Sequence, residues 1–262
     1  VSVFFLDDLQ VVRRQEIGSS DAILEAARAR DAEVLEHELE IQFRCGGSDG
    51  FVRWVENTLA IRRTANAIWQ GDPGFDLRIV DTPQELDAMI RARLAEGHGA
   101  RLVAGYAWPW SDPDGQGNLV DDVAIGDWSR PWNAKGSAGV LAPGIPRSEL
   151  WASEPGGVDQ VGCIYTAQGF EFDYVGVIFG PDLVHRPREG WVGRKEYSHD
   201  GGLKRGTDPA AFTELVKNTY RVLLSRGLKG CYVHFMDEQT RDFVESRMDV
   251  GGVALAAEER EG

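Results

Sequence analysis

Residues 210–237, AAFTELVKNTYRVLLSRGLKGCYVHFMD, restrict the fold of this chain more than any other stretch. Phe212, Leu215, Val216, Thr219, Tyr220, Leu223 and Leu224 recur at i, i+3 and i+4, the period of one helix face. Gly227 is expected to close that helix, and CYVHFM follows as a strand. The same order recurs upstream. FDLRIVDTP reads as a short strand, PQELDAMIRARLAEG as a helix ending at Gly97, and ARLVAGYAW as another strand. Within Val161–Gly180, the apolar runs GCIY and YVGVIFG bracket a polar knot, TAQGFEFD. Strands alternating with helices predict an α/β fold, a parallel sheet flanked by helices on both faces.

Nearer the N-terminus, Val3–Leu6 reads as a strand ending at DDLQ, and Ser20 as the N-cap of a helix over DAILEAARAR. Val34–Phe43 alternates apolar and charged residues, the period of a strand. SDGFVRWVENTLAIRR places Phe51, Trp54, Val55, Thr58 and Leu59 on one helical face, with Ser48 near its start. From Trp108 to Trp151 regularity dissolves into Pro, Gly, Asp and Trp. Loops of that length are uncommon in compact domains and are often functional.

Composition narrows the classes. With 262 residues and 42% hydrophobic content, the chain can bury a core without staples. Cys45, Cys163 and Cys231 form no CxxC pair and cannot all be bridged, which fits a reducing, cytoplasmic setting. No apolar run approaches the roughly 20 residues of a membrane span. The net charge of −14 has the wrong sign for an autonomous nucleic-acid binder, though it leaves room for a local basic groove or one completed by another domain. The chain opens without an initiator Met directly in VSVFFL, so it is expected to be the C-terminal part of a longer protein.

Four stretches carry a resemblance to a known family: FFLDDLQ, EIQFRC, YTAQGFEFDYVGVI and YRVLLSRG, in that order. Together they resemble the second RecA-like lobe of superfamily-one helicases of the UvrD/Rep-like group. They are closer still to the bacterial helicase-like family related to the helicase domain of group 3 Schlafen proteins. The resemblance implies a RecA-like, P-loop-NTPase-type sheet. It also implies roles: Gln10 as γ-phosphate sensor, Arg44 as a cation reaching the γ-phosphate, and Arg226 as arginine finger. Gly169 and Glu171 would face the nucleotide, and Thr166 and Gln168 a nucleic-acid strand. Residues 1–18 would end the preceding lobe or connect to it. Residues 19–250 would form the second lobe, with an irregular insertion about 108–151, and 251–262 a flexible tail. A guanidinium suits the finger role because it is planar, permanently charged and bidentate. Placed before a breaking glycine, Arg226 is expected to project beyond the sheet, with TAQGFE and LSRG on one rim at the carboxyl ends of the strands.

The sequence departs from that family at Cys163 and Tyr165, where Thr and His are usual, at Asp7 in place of glycine, and at Gly227 in place of alanine. It contains no GxxxxGK[ST], and no DEAH-like acidic strand precedes Gln10. The resemblance therefore assigns ATP and Mg²⁺ to the full-length parent and expects neither to be held tightly here. The expected partners are the N-terminal RecA-like lobe and single-stranded DNA or RNA, with no membrane. Alone, the chain is expected neither to hydrolyse ATP nor to unwind. Two other readings stand beside the helicase or translocase: a switch lobe of a signalling or defence ATPase, and an interaction scaffold.

Other features read in two ways. Trp108, Trp110, Trp128, Trp132 and Trp151 crowd the irregular middle, either to stack bases or to pack on themselves. Arg186, Arg188, Arg194 and Lys195 flank Trp191, as phosphate contacts or a solvated loop. Asp121, Asp122 and Asp127 lack neighbouring histidines, and no metal site is expected.

Overall fold

A computed structural model of the protein describes residues 2–7, 11–12, 20–37 and 49–249. Five parallel strands form the central sheet, numbered along the chain. Their spatial order is β1 (Asp76–Val80), β9 (Gly227–Phe235), β6 (Phe172–Phe179), β2 (Ala100–Ala104) and β5 (Val161–Cys163). β2 is buried throughout and β6 from Val175 to Phe179. Strands covered on both faces read as unbroken apolar runs for this reason.

Helix α3 (Pro83–Ala95) covers one face and α6 (Pro209–Leu224) the other. A Cβ at Gly176 would lie 2.7 Å from Ile90 of α3, whereas the Phe179 ring stacks on Tyr220 of α6 at 3.7 Å. Residues three apart on a strand point to opposite faces. Both helices start on the expected chemistry. Thr82 accepts from the Glu85 N–H at 3.1 Å ahead of Pro83, and Asp208 from the Ala211 N–H at 2.8 Å ahead of Pro209. The predicted stripe of α6 is the buried one: Phe212, Val216, Tyr220 and Leu223 are core residues.

The end of α6 differs from the sequence expectation. The helix stops at Leu224 with Ser225 as its cap, and Gly227 opens β9 instead of closing the helix. A Cβ on Gly227 would lie 2.1 Å from the Gly230 carbonyl oxygen. Glycine is needed for that close approach, where the β6–β9 register shifts between Phe172 and Tyr174.

One expected strand fails, and the described part of a second is irregular. Residues 2–7 have no regular structure, and Phe5 is 85% exposed. Residues 34–37 are also irregular, with Leu35 79% exposed, and the remainder of Val34–Phe43 lies outside the described residues. Both runs have strand-like composition, but a strand forms only where a neighbour pairs with its backbone and covers its apolar side. Among the described residues neither has such a neighbour. Helix α1 (Ser20–Arg28) forms as expected but buries none of its residues. Helix α2 (Asp49–Thr58) packs Phe51 and Trp54 against Trp69 and Phe75, the Phe51–Phe75 rings lying 4.2 Å apart. The expected tail, 251–262, lies outside the described residues.

The irregular middle folds around a small hairpin, β3 (Val123–Ile125) and β4 (Trp128–Arg130). A second hairpin, β7 (Leu183–Arg186) and β8 (Gly190–Gly193), follows β6. Helix α7 (Glu238–Glu245) follows β9. Among the described residues no helix is long and apolar enough to cross a membrane.

Candidate functional site

The polar knot connects β5 to β6 across the sheet. One helical turn, α4 (Ile164–Ala167), leaves the carboxyl end of β5, and the chain returns to the amino end of β6 through residues 168–171. The turn closes with the Gln168 N–H donating to the Ile164 carbonyl at 2.9 Å. Gly169 then takes φ +103, where a side chain would be strained although its Cβ would meet open space. Glu171 is exposed beside it, while Thr166 and Gln168 are half-buried.

Arg226 reaches the same place from the next strand. Its backbone carbonyl accepts from the Phe172 N–H at 2.9 Å, and its Nη1 donates to the Phe170 carbonyl at 3.4 Å. The structure thus joins Arg226 to Phe170 and Phe172, the residues on either side of Glu171. The junction lies at the amino ends of β6 and β9, not the carboxyl ends; only the start of the knot lies at a carboxyl end. The guanidinium also faces inward. Arg226 is 1% exposed, and its Nε donates to the Val222 carbonyl at 3.0 Å. Because α6 stops at Leu224, Arg226 stands at the entrance of β9 and its side chain folds back on the last helical turn. A charge so desolvated is tolerable only with hydrogen-bond acceptors at hand, and backbone carbonyls provide them.

The departures from the family pattern have structural roles. Cys163 is buried, and its N–H donates to Asn133 Oδ1 at 3.1 Å. The Tyr165 hydroxyl hydrogen-bonds Asp200, which also caps the one-turn helix α5 (Gly201–Lys204). Gln10 and Arg44 lie outside the described residues. Asp7 pairs with Arg221 of α6 at 3.5 Å, and the Val11 carbonyl accepts from Asn218 of α6 at 3.0 Å.

The tryptophans pack inward. Trp108, Trp128, Trp132 and Trp151 are buried, and the indole N–H groups of Trp108, Trp110 and Trp132 donate to carbonyls of the insertion itself. Base stacking on these rings is set aside. Most of the basic cluster is internally engaged: Arg186 makes a bidentate pair with Asp237 at 2.8 Å, Arg194 pairs with Glu196 at 3.5 Å, Lys195 reaches the Thr207 carbonyl, and Trp191 donates to the Thr58 carbonyl, while Arg188 is exposed. Asp121 and Asp122 accept from Ser129 and Ser111, and Asp127 accepts from Gln84. Among the described residues no group of three or more His, Cys, Asp and Glu is placed to hold a metal ion.

Two buried networks escaped sequence reasoning. Glu56 of α2, fully buried, binds Arg221 at 2.8 Å and Arg62 at 2.5 Å. At the opposite end of the sheet, Tyr220 donates to Asp182 at 2.6 Å and accepts from the Gly180 N–H at 2.8 Å. Burial pushes the Asp182 carboxyl up to about 6, against the opposing pull of the Tyr220 hydroxyl and of the Asp182 and Leu183 backbone. Tyr220 read only as a member of the apolar helix face, and Arg221 lies outside that stripe. Only their long-range partners, Asp182 and Glu56, reveal them.

The sequence profile of the Schlafen group 3 DNA/RNA helicase domain matches residues 1–237. An uncharacterised protein of Saccharomyces cerevisiae is 24% identical over 233 residues, covering 79% of this chain and 47% of the yeast protein. The chain thus spans about half the length of that relative.

Proposed function

Because this chain belongs to the Schlafen group 3 DNA/RNA helicase domain family, we propose that it is the second RecA-like lobe of an ATP-driven helicase or translocase. The insertion and the terminal segments keep the boundaries the sequence implies. Gly169 and Glu171 face the nucleotide, Thr166 and Gln168 the strand, and Arg226 supplies the finger, with Arg44 and Gln10 at the γ-phosphate. The observation that carries this reading is the junction of Arg226 with the knot, through Phe172 at 2.9 Å and Phe170 at 3.4 Å.

The residues present fit one side of a nucleotide. Gly169 leaves open space beside an exposed carboxylate, with a permanent cation one strand away. ATP with Mg²⁺, when bound, supplies the transferable phosphoryl group. This chain's part is to orient the nucleotide through Glu171 and to place positive charge where negative charge develops. Acting as a finger requires the Arg226 guanidinium to exchange the Val222 and Phe170 carbonyls for phosphate oxygens. The knot is then released as the finger engages, which links nucleotide state to the strand-facing Thr166 and Gln168. With no Walker A sequence among its 262 residues, the chain depends on another segment for the phosphate cradle.

ATP turnover by the protein carrying this chain, measured with and without single-stranded DNA or RNA, tests the reading. Stimulation by either strand is expected; a rate indifferent to both leaves no place for translocation. A switch ATPase that does not translocate is the second reading. It is favoured by the engagement of Cys163 with Asn133 and of Tyr165 with Asp200, at the two positions where the family pattern differs.

A further inference from the structure

β1 is an edge strand. β9 pairs with one side of it, and among the described residues no strand pairs with the other. An unpaired strand edge presents backbone N–H and carbonyl groups ready to add another strand. Along Asp76–Val80 the side chains alternate between the two faces of the sheet. Leu77 and Ile79 are half-buried on the face that carries α2 and α7, where they line a small cavity with Trp54 and Val244. Asp76 and Arg78 occupy the α3 face: Asp76 is paired with Arg93 of α3 at 3.1 Å, and Arg78 with Asp76 at 2.8 Å. The Arg78 side chain remains 54% exposed.

Charge and register select the strand that this edge accepts. A second copy related by a twofold axis pairs antiparallel, with the same residues on both sides. Registers shifted by one residue set the apolar face of one copy against the charged face of the other. With faces matched, centring the axis on Asp76 or Arg78 brings like charges together. Centring it on Ile79 or Val80 sets an apolar residue of the strand opposite Asp81. Centring it on Leu77 sets Asp76 opposite Arg78 of the second copy, Arg78 opposite its Asp76, and Leu77 against Leu77. Opposite charges facing each other across an antiparallel pair stabilise it, and like charges destabilise it. This edge therefore carries one charge of each sign, at positions that interchange under the twofold.

We propose that β1 is a homodimer interface, two copies of this chain joining antiparallel along residues 75–79 with Leu77 at the twofold axis. The two five-stranded sheets then run on through one another. One strand pair is a small interface, so the dimer is a weak one. It lies at the far edge of the sheet from β5, where the knot begins, and does not require the proposed ATP-dependent role.

Sedimentation velocity of the 262-residue chain, run up to about 500 µM, is expected to show a reversible monomer–dimer equilibrium with a dissociation constant of about 100 µM or tighter. Arg78→Asp sets acid against acid at both Asp76–Arg78 pairings and is expected to weaken the dimer at least about tenfold. Arg78→Lys keeps the charge and is expected to keep the dimer. Should Arg78→Asp fail to fold, oxidative crosslinking gives a second reading. Leu77→Cys faces its own counterpart across the axis, within the roughly 4.4–6.8 Å Cα separation that a disulfide requires, whereas Arg78→Cys faces Asp76. Peptide mass spectrometry is expected to find a disulfide joining two copies at position 77 and none at position 78. A chain that stays monomeric at about 500 µM overturns the proposal and leaves the edge to a strand of another protein. So does a dimer that Arg78→Asp leaves unchanged, or crosslinking at position 78 as fast as at position 77.

Discussion

Asp182 makes the stability of this fold depend on pH in a direction opposite to that of most carboxylates. It is buried where the turn after β6 meets α6, and its carboxyl titrates at about 6 in the folded chain. Unfolded, it titrates near the ordinary value of about 3.9. Because the folded value is the higher one, its contribution to stability is fully present below about pH 4. It is lost as pH rises through about 6. The whole gap corresponds to about 3 kcal/mol, of which about 1.5 kcal/mol falls between pH 5 and pH 8. Asp182→Asn cannot ionise but keeps an oxygen to accept the Tyr220 hydroxyl. Urea unfolding of both proteins, followed by the fluorescence of the buried tryptophans at pH 5, 6, 7 and 8, isolates the effect from all other titrating groups. The stability difference should move in the variant's favour by about 1.5 kcal/mol across that range. Parallel pH profiles for the two proteins would refute the reasoning, since they would mean that Asp182 is ionised in the folded chain without penalty.

The Glu56 network separates a buried ion pair from an exposed one. Glu56→Ala takes from the nearly buried Arg221 its shorter carboxylate pair and leaves the more distant Asp7, and should cost about 3 kcal/mol by chemical denaturation. Arg62→Ala removes a partner whose side chain is 59% exposed and should cost about 1 kcal/mol or less; equal losses would contradict the assignment of Arg221 as the principal partner. Gly169→Ala should lower stability by about 1–3 kcal/mol through backbone strain alone, because its Cβ meets no atom within 4 Å. A neutral substitution, measured by thermal unfolding, would show that φ +103 is not required there.

The sheet and its two covering helices were legible because burial wrote their pattern. α6 needs one apolar face, and β6 and β9 need two, so period and continuity both survive in the sequence. The same reasoning failed at Val3–Leu6 and over 34–37, the described part of the expected strand Val34–Phe43, where composition resembles a strand but pairing decides, and pairing is not a local property. At the site, the knot's position between β5 and β6 and its closeness to Arg226 were readable from motif order. The orientation of Arg226 was not. It depends on α6 ending two residues before the arginine and on a β-bulge at Gly227, both set by tertiary packing. The tryptophans of the insertion were ambiguous for a related reason, since their carbonyl partners lie as many as 23 residues away.

The central claim is that Arg226 serves the ATP site and not only the packing of the knot. ATP turnover by the protein carrying this chain, compared among wild type, Arg226→Lys and Arg226→Ala with folding checked by circular dichroism, tests it most directly. A folded Arg226→Ala protein should lose about 10³-fold or more in turnover, with lysine recovering little because it lacks the bidentate fork. Unchanged turnover in Arg226→Ala would contradict the account and leave Arg226 as a structural anchor for Phe170.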